Sequence, residues 1–260
     1  MRNVLIGDLH CREIWKKIVE KESDADRFIL LGDYTCPRGV KYDDPTDADG
    51  FLYEVLDFKD KNPDEVILLR GNHCMDSLGY YWARCYPQDH PKVRAYWQTD
   101  DVKNWYLNNT QWVYRIPNTN IVCSHAGCSK VFLDNANKVL KRNNIIYYSG
   151  MPVPYSWIID NLNKLEPSEL FGFTDNSPFD TDGESSCQPC TWIRPWTLSE
   201  YMPADIIQVV GHTPVTEHIF EIKGAKNSAV WCCDALGLEN PEYLVIDNGE
   251  FKICKVYDNL

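Results

Sequence analysis

Three short apolar runs, Val4-Leu5-Ile6, Phe28-Ile29-Leu30-Leu31 and Val66-Ile67-Leu68-Leu69, each end on a polar Gly-Asp or Gly-Asn element. Runs of this length, so bounded, read as buried strands that stop in loops. Between the first two, Ile14, Trp15, Ile18 and Val19 recur at helical spacing; before the third, Phe51, Leu52, Val55, Leu56 and Phe58 do the same. The order strand, helix, strand, helix, strand argues for an α/β architecture, in which ligands bind at loops beyond the strand ends.

Past residue 74 the pattern is less regular. An aromatic-rich helix is expected from about Pro91 to Leu107, then strands at Trp112–Ile116 and Asn120–Ser124 and a helix at Val131–Leu140. The Asp-, Ser-, Pro- and Gly-rich segment 173–190 reads as a long surface loop of the kind that often serves as a lid or binding loop. Strands return at Ile207–Val210, Ser228–Cys232, Tyr243–Ile246 and Phe251–Val256, the last two joined by the hairpin signal Asp247-Asn248-Gly249-Glu250. No linker interrupts the middle, so the 260 residues, 44% apolar, are expected to fold as one domain, 1–260, with a sizeable core.

The formal charge of −12 argues against general nucleic-acid binding and against an anionic membrane as partner. Any phosphate-bearing substrate would then have to be attracted locally, and bound metal cations can reverse the field around themselves. No apolar run approaches the ~18 residues of a membrane span, and Arg2–Ile6 lead straight into Gly-Asp without the features of a secretory signal. Eleven cysteines, an odd number in a long chain, suit reduced thiols and a cytoplasmic location better than a disulfide scaffold. Cys187 and Cys190 with the adjacent pair Cys232-Cys233 do not specify a tetrahedral zinc site.

The strand ends carry Asp8 and His10, Asp33, Asn72 and His73, and His125, and Gly211-His212 completes the set. Carboxylate, imidazole and amide oxygen together suit manganese, iron or zinc better than an all-oxygen calcium or magnesium cage. Each element alone has an ordinary explanation as a turn or a hydrogen-bonded histidine. In sequence, Gly7-Asp8-Leu9-His10, Gly32-Asp33-Tyr34, Gly71-Asn72-His73, Ser124-His125-Ala126-Gly127 and Gly211-His212-Thr213-Pro214 are far more specific. His90 and His218 are read as ordinary surface or hydrogen-bonded residues, and Asp43–Asp49 as an acidic lead-in to a helix.

Across residues 7–214 the chain resembles the calcineurin-like metallophosphoesterases, in particular the branch of Ser/Thr protein phosphatases, phage-type protein phosphatases and symmetrical diadenosine tetraphosphatases. The resemblance implies a four-layer α-β-β-α sandwich, with two mixed sheets between helices and two divalent metal ions at the strand ends, manganese first and iron or zinc as alternatives. It implies that Asp8 and His10 hold the first metal, Asp33 bridges both, and Asn72, His125 and His212 hold the second, with His73 off the metals near the leaving group. A bridging carboxylate can hold two cations ~3.5–4 Å apart and present a shared hydroxide for in-line attack on phosphorus.

The sequence also departs from that pattern. In Gly32-Asp33-Tyr34-Thr35-Cys36-Pro37-Arg38-Gly39 the phosphate-gripping arginine of relatives is displaced by one residue, to Arg38, and the aspartate that orients the off-metal histidine is missing. Cys74 stands where protein phosphatases place Glu, while Pro214 suits that branch. Thr191-Trp192-Ile193-Arg194 resembles the Trp-x-Arg element of bacterial and phage members, making Arg194 the second candidate for a forked grip on phosphate. The expected activity is phosphoric ester hydrolysis on a phosphoprotein, with nucleotide, dinucleoside polyphosphate or RNA-end hydrolysis as the alternative and a catalytically weak binding module as a second.

Overall fold

The computed structural model describes residues 1–38, 47–80, 95–171 and 182–257, with the backbone alone at 47–49 and 171. The expectations on residues 43–46, on the side chains of 47–49, on His90, on the helical stretch 91–94 and on loop residues 173–181 lie outside the described residues. Loop residues 182–190 contain only turns and bends.

The first half follows the expected alternation: β1 (Arg2–Ile6), α1 (Ile14–Lys21), β2 (Arg27–Leu30), α2 (Asp47–Lys61), β3 (Val66–Leu69) and α3 (Asn72–Ser77). Then come α4 (Asp100–Asn109), β4 (Thr110–Gln111), β5 (Val113–Arg115), β6 (Ile121–Ser124) and α5 (Lys130–Arg142). The second half comprises α6 (Tyr155–Asn161), α7 (Pro167–Phe171), α8 (Pro195–Glu200), β7 (Ile207–Pro214), β8 (Phe220–Lys223), β9 (Ala229–Asp234), β10 (Glu242–Asp247) and β11 (Glu250–Lys255). Residues 95–97 are already helical, and after a break at 98 and 99 helix α4 starts at two acids, Asp100 and Asp101, that suit a helix N-terminus.

Two mixed sheets result, one ordered β11-β10-β1-β2-β3-β4 and the other β5-β6-β7-β9-β8. Strands β1 to β4 run parallel, as do β6, β7 and β9, while β10, β11, β5 and β8 pair antiparallel at the flanks. Side chains alternate across each strand, and both faces are covered, which is why these strands read as continuous apolar runs. Leu5, Ile29 and Leu69 meet Cys123, Val209 and Val230 in the core between the sheets. Val4, Ile6, Leu30 and Leu68 face Trp15, Ile18, Phe51 and Val55 of the helices. The result is the four-layer sandwich of two mixed sheets between helices. Cys190 belongs to the helix-side core, whereas Cys232 and Cys233 belong to the core between the sheets. No helix among the described residues is long and apolar enough to cross a membrane.

Both sheets present the carboxyl ends of their parallel strands to one place. Gly7 lies there against the second sheet, where a methyl group would collide with the Cys233 carbonyl oxygen. A methyl at Gly71 would meet the carboxylate and amide of Asp33. Gly7 thus lets the two sheets approach, and Gly71 lets the ends of the neighbouring strands β2 and β3 do so.

Candidate metal centre

Asp8 follows β1, Asp33 follows β2, Asn72 and His73 open α3 after β3, His125 follows β6, and His212 lies within β7. All six side chains are buried, the largest exposure being 6% at His212. Backbone geometry at the strand ends is unusual: His10, Asp33 and His212 have φ of 44°, 47° and 63°, in the left-handed region that a side chain seldom adopts. Such residues cost about 1–3 kcal/mol each and cluster at functional sites.

Backbone amides fix the carboxylates. Asp33 Oδ1 accepts from His73 N at 2.9 Å, and Asp8 Oδ1 accepts from His212 N at 3.0 Å, so each sheet holds a carboxylate of the first. Main-chain carbonyls fix the imidazoles. His10 Nδ1 faces the carbonyl oxygens of Cys36 at 2.8 Å and Thr35 at 3.1 Å, and His125 Nδ1 faces that of Leu31 at 2.8 Å. A proton on each Nδ1 satisfies those carbonyls and leaves each Nε2 lone pair directed at the cluster, the outer support that metal-binding histidines require.

The inward atoms converge. His10 Nε2 lies 3.8 Å from Asp8 Oδ2 and 3.9 Å from Asp33 Oδ2, and His125 Nε2 lies 3.4 Å from Asp33 Oδ2. Asn72 Oδ1 is 2.8 Å from His125 Nε2 and 2.9 Å from His212 Nδ1. One ligand atom each from Asp8, Asp33 and His125 lies within 4.8 Å of the others, and the same holds for His10, Asp33 and His73. Asp33 belongs to both groups. His73, expected beside the metals, thus also has a ring nitrogen in reach of the cluster.

Asp8 Oδ2, His10 Nε2 and His212 Nε2 are buried with no hydrogen-bond partner among the described residues. A buried polar atom left so carries a large desolvation cost. Divalent cations fit the Asp8 and His10 donors: their 3.8–3.9 Å spacings to one another and to Asp33 are too long for hydrogen bonds but within reach of two ligands sharing one cation at bonds of ~2.0–2.2 Å. Electrostatics agree. Burial and then Asp234 push Asp8 well up, and burial lowers His10 to about 3. At Asp33 burial acts upward, but the imidazoles of His125, His73 and His10 outweigh it and hold the carboxyl well down. At His125 burial acts downward, yet Asp33 and Asp8 raise it to about 9. Asp33 therefore keeps its charge in a dry site, while at buried Asp8 the pull of His125 does not offset the burial.

Both candidate phosphate arginines reach the rim. Arg38 Nη2 lies 2.9 Å from His73 Nε2, so the displaced arginine stands beside the histidine whose aspartate partner is missing from the second motif. Arg194 donates through Nη1 to Thr213 Oγ1 at 3.1 Å and through Nε to the Asp182 carbonyl at 3.0 Å. Its charge is among those that, after burial and His125, hold His212 well below its ordinary value. Cys74, in place of Glu, is buried, and its thiol accepts from Tyr34 N at 3.3 Å, a packing role. His218, 2.7 Å from buried Glu242, is an ordinary partnered residue.

Sequence reasoning missed two residues. Asp234 ends β9, is 5% exposed, and is raised to about 6, by burial first and against the pull of Arg12 and Arg38. Arg12 donates to the Asp8 carbonyl at 3.4 Å. Pairing of β9 with β7, which sets Asp234 opposite Pro214, is what brings the first to the site. Arg12 sits two residues beyond His10, outside the motif.

The sequence profile of the calcineurin-like phosphoesterases matches residues 1–235. A cold-active protein-tyrosine phosphatase from a psychrophilic Shewanella has the same fold, with a TM-score of 0.54 at 18% identity over 98% of this chain and 80% of that one. A protein serine/threonine phosphatase from Saccharomyces cerevisiae gives 0.52 at 13% identity, over 98% and 79%. No curated protein matches the chain.

Proposed function

The chain belongs to the calcineurin-like phosphoesterase family and is a metal-dependent phosphoesterase, and from that premise we propose that it is a phosphomonoesterase of protein-phosphatase type acting on phosphorylated serine or threonine. The observation that carries this reading is the buried convergence of Asp8, His10, Asp33, Asn72, His125 and His212 with one guanidinium on the His73 side and another on the His212 side. A tetrahedral dianion with three free oxygens suits such a cradle.

In this reading Asp8, His10 and Asp33 would hold one divalent cation and Asp33, Asn72, His125 and His212 a second, with manganese proposed and iron or zinc as alternatives. When bound, the pair supplies Lewis acidity and charge neutralisation for displacement at phosphorus. The His73 and His212 amides keep Asp33 and Asp8 from turning away. Arg194, braced by Thr213 and the Asp182 carbonyl, presents a planar fork to phosphate oxygens. A guanidinium has donors and no acceptor, so Arg38 is the donor to His73, and His73 Nε2 accepts while Nδ1 carries the proton. When Arg38 turns to the substrate phosphate, Nε2 is released to take up a proton from solvent and deliver it to the departing serine or threonine oxygen.

The test is a substrate panel with manganese: phosphoserine and phosphothreonine peptides, nitrophenyl phosphate, a dinucleoside tetraphosphate and a 2′,3′-cyclic nucleotide. The highest kcat/KM among the natural classes is expected for the peptides. Fast cleavage of the dinucleotide or cyclic nucleotide with inert peptides would overturn the reading.

A further inference from the structure

Arg12 is a half-buried guanidinium at the edge of the cluster that the reaction outlined above does not use. Among the described residues its one hydrogen bond is the 3.4 Å contact to the Asp8 carbonyl, and no carboxylate lies within 4.0 Å of it. Buried Asp234 and Asp8 attract it only from beyond ion-pair distance. Among the described residues, one long bond for five donors in a fixed fork leaves most of that fork open. Its side chain packs over Gly237, where even a methyl group would lie 3.2 Å from Nη2.

Arg12 also lines a groove of about 430 Å³ between the start of α1 and the connection from β9 to β10. Ile14, Leu236 and Tyr257 give it apolar walls, and Glu13 and Glu239 stand in its lining. A space of that size suits a small organic body. The two glutamates oppose a run of further phosphates beyond the guanidinium, so the groove favours one anion at Arg12 followed by an uncharged remainder.

We propose that Arg12 binds a second anionic group of the substrate, a phosphate or carboxylate carried by the leaving group beside the scissile phosphate, with the uncharged remainder in the groove. The proposal rests on the phosphomonoesterase reading and deepens it. Arg38 and Arg194 remain assigned to the scissile phosphate; Arg12, one loop turn from Asp8, is placed for the next charge along the substrate. The two sources of that charge are a nucleoside diphosphate, in which water breaks the terminal phosphoanhydride and a nucleoside monophosphate departs, and a phosphopeptide with an acidic neighbour, in which water breaks the phosphomonoester and the serine or threonine alcohol departs.

The experiment compares kcat/KM for nitrophenyl phosphate, ADP, a phosphoserine peptide with Asp after the phosphoresidue and the same peptide with Asn there, in wild type, Arg12→Met, Arg12→Gln and Arg12→Lys. Manganese content is measured alongside. In the Met and Gln variants the ratio of ADP or Asp-peptide turnover to nitrophenyl phosphate turnover should fall about tenfold or more, through KM, as expected for losing a charge-assisted hydrogen bond. Arg12→Lys should restore part of it. A fall confined to ADP identifies the partner group as phosphate and one confined to the Asp-peptide identifies it as carboxylate; either supports the proposal. Ratios unchanged within about twofold, or equal losses on all four substrates with manganese lost, would overturn it and leave Arg12 as a brace for Asp8. Failure of wild type to turn over any of the four would sink the phosphomonoesterase reading together with this one.

Discussion

At the scale of single residues, most of the site depends on Asp33. Its Oδ1 takes the His73 amide, its Oδ2 lies between His125 and His10, and its carbonyl accepts from His10 N at 2.7 Å. Asp33→Asn keeps the size but replaces one oxygen with a donor facing imidazoles. We expect kcat to fall by at least about 100-fold and bound manganese to drop below two per chain, with cooperative unfolding retained. Two manganese ions and near-normal turnover in the variant would refute the bridging role. His73→Asn tests the proton instead. A serine alkoxide needs protonation and a nitrophenolate needs it much less, so the variant should lose ~10²–10⁴-fold on an alkyl phosphate and far less on nitrophenyl phosphate, with manganese retained. Equal losses on the two substrates would make His73 a phosphate-binding cation.

At the scale of elements, close approach between strand ends is the feature most open to test. Gly71→Ala pushes a methyl into the carboxylate and amide of Asp33, and such overpacking costs about 1–3 kcal/mol. Urea melts should show that loss, together with weaker manganese binding. Gly50 in α2 is an exposed helical glycine with nothing among the described residues within 4 Å of an added methyl, so Gly50→Ala should gain up to about 1 kcal/mol. If both glycines respond alike, contact at Gly71 is not what fixes the Asp33 loop. The same scale explains what could be read beforehand. Strands β1, β2 and β3 were legible because both faces are buried, and the β10–β11 hairpin because Asn248-Gly249 turns with φ of 50° and 88°. Strand β8, Phe220–Lys223, was missed because it is a half-exposed edge whose Phe-Glu-Ile-Lys alternation is only four residues long. Helix α3 was missed because all six residues are buried, which leaves no apolar stripe to recognise. Asp8, His10, Asp33, Asn72, His125 and His212 were legible because each stands in a motif at or beside a strand end. Asp234 was not, since only the pairing of β9 with β7 brings it there, and neither was Arg12, which falls two residues beyond His10 and outside the motif.

At the scale of the whole molecule, the candidate centre is where the two sheets are joined by polar groups. Asp8, Asp33 and Asn72 come from the ends of β1, β2 and β3, while His125 and His212 come from the other sheet. Cations shared by these side chains would tie the layers together in a chain whose net charge of −12 otherwise works against compaction. A ligand that binds only the folded state stabilises it by ~2.7 kcal/mol at a hundredfold excess over Kd. For a chain of this size that is about 5–10 °C in Tm. Chelation should therefore lower the Tm of wild type by about that amount, and added manganese should restore it. The shift is expected to shrink by more than half in Asp33→Asn, because loss of the shared ligand weakens both positions at once. Measuring both proteins by scanning calorimetry with and without chelator separates this account from a general effect of ionic conditions. Equal shifts in the two proteins, or none in either, would mean that the cations do not sit between the sheets.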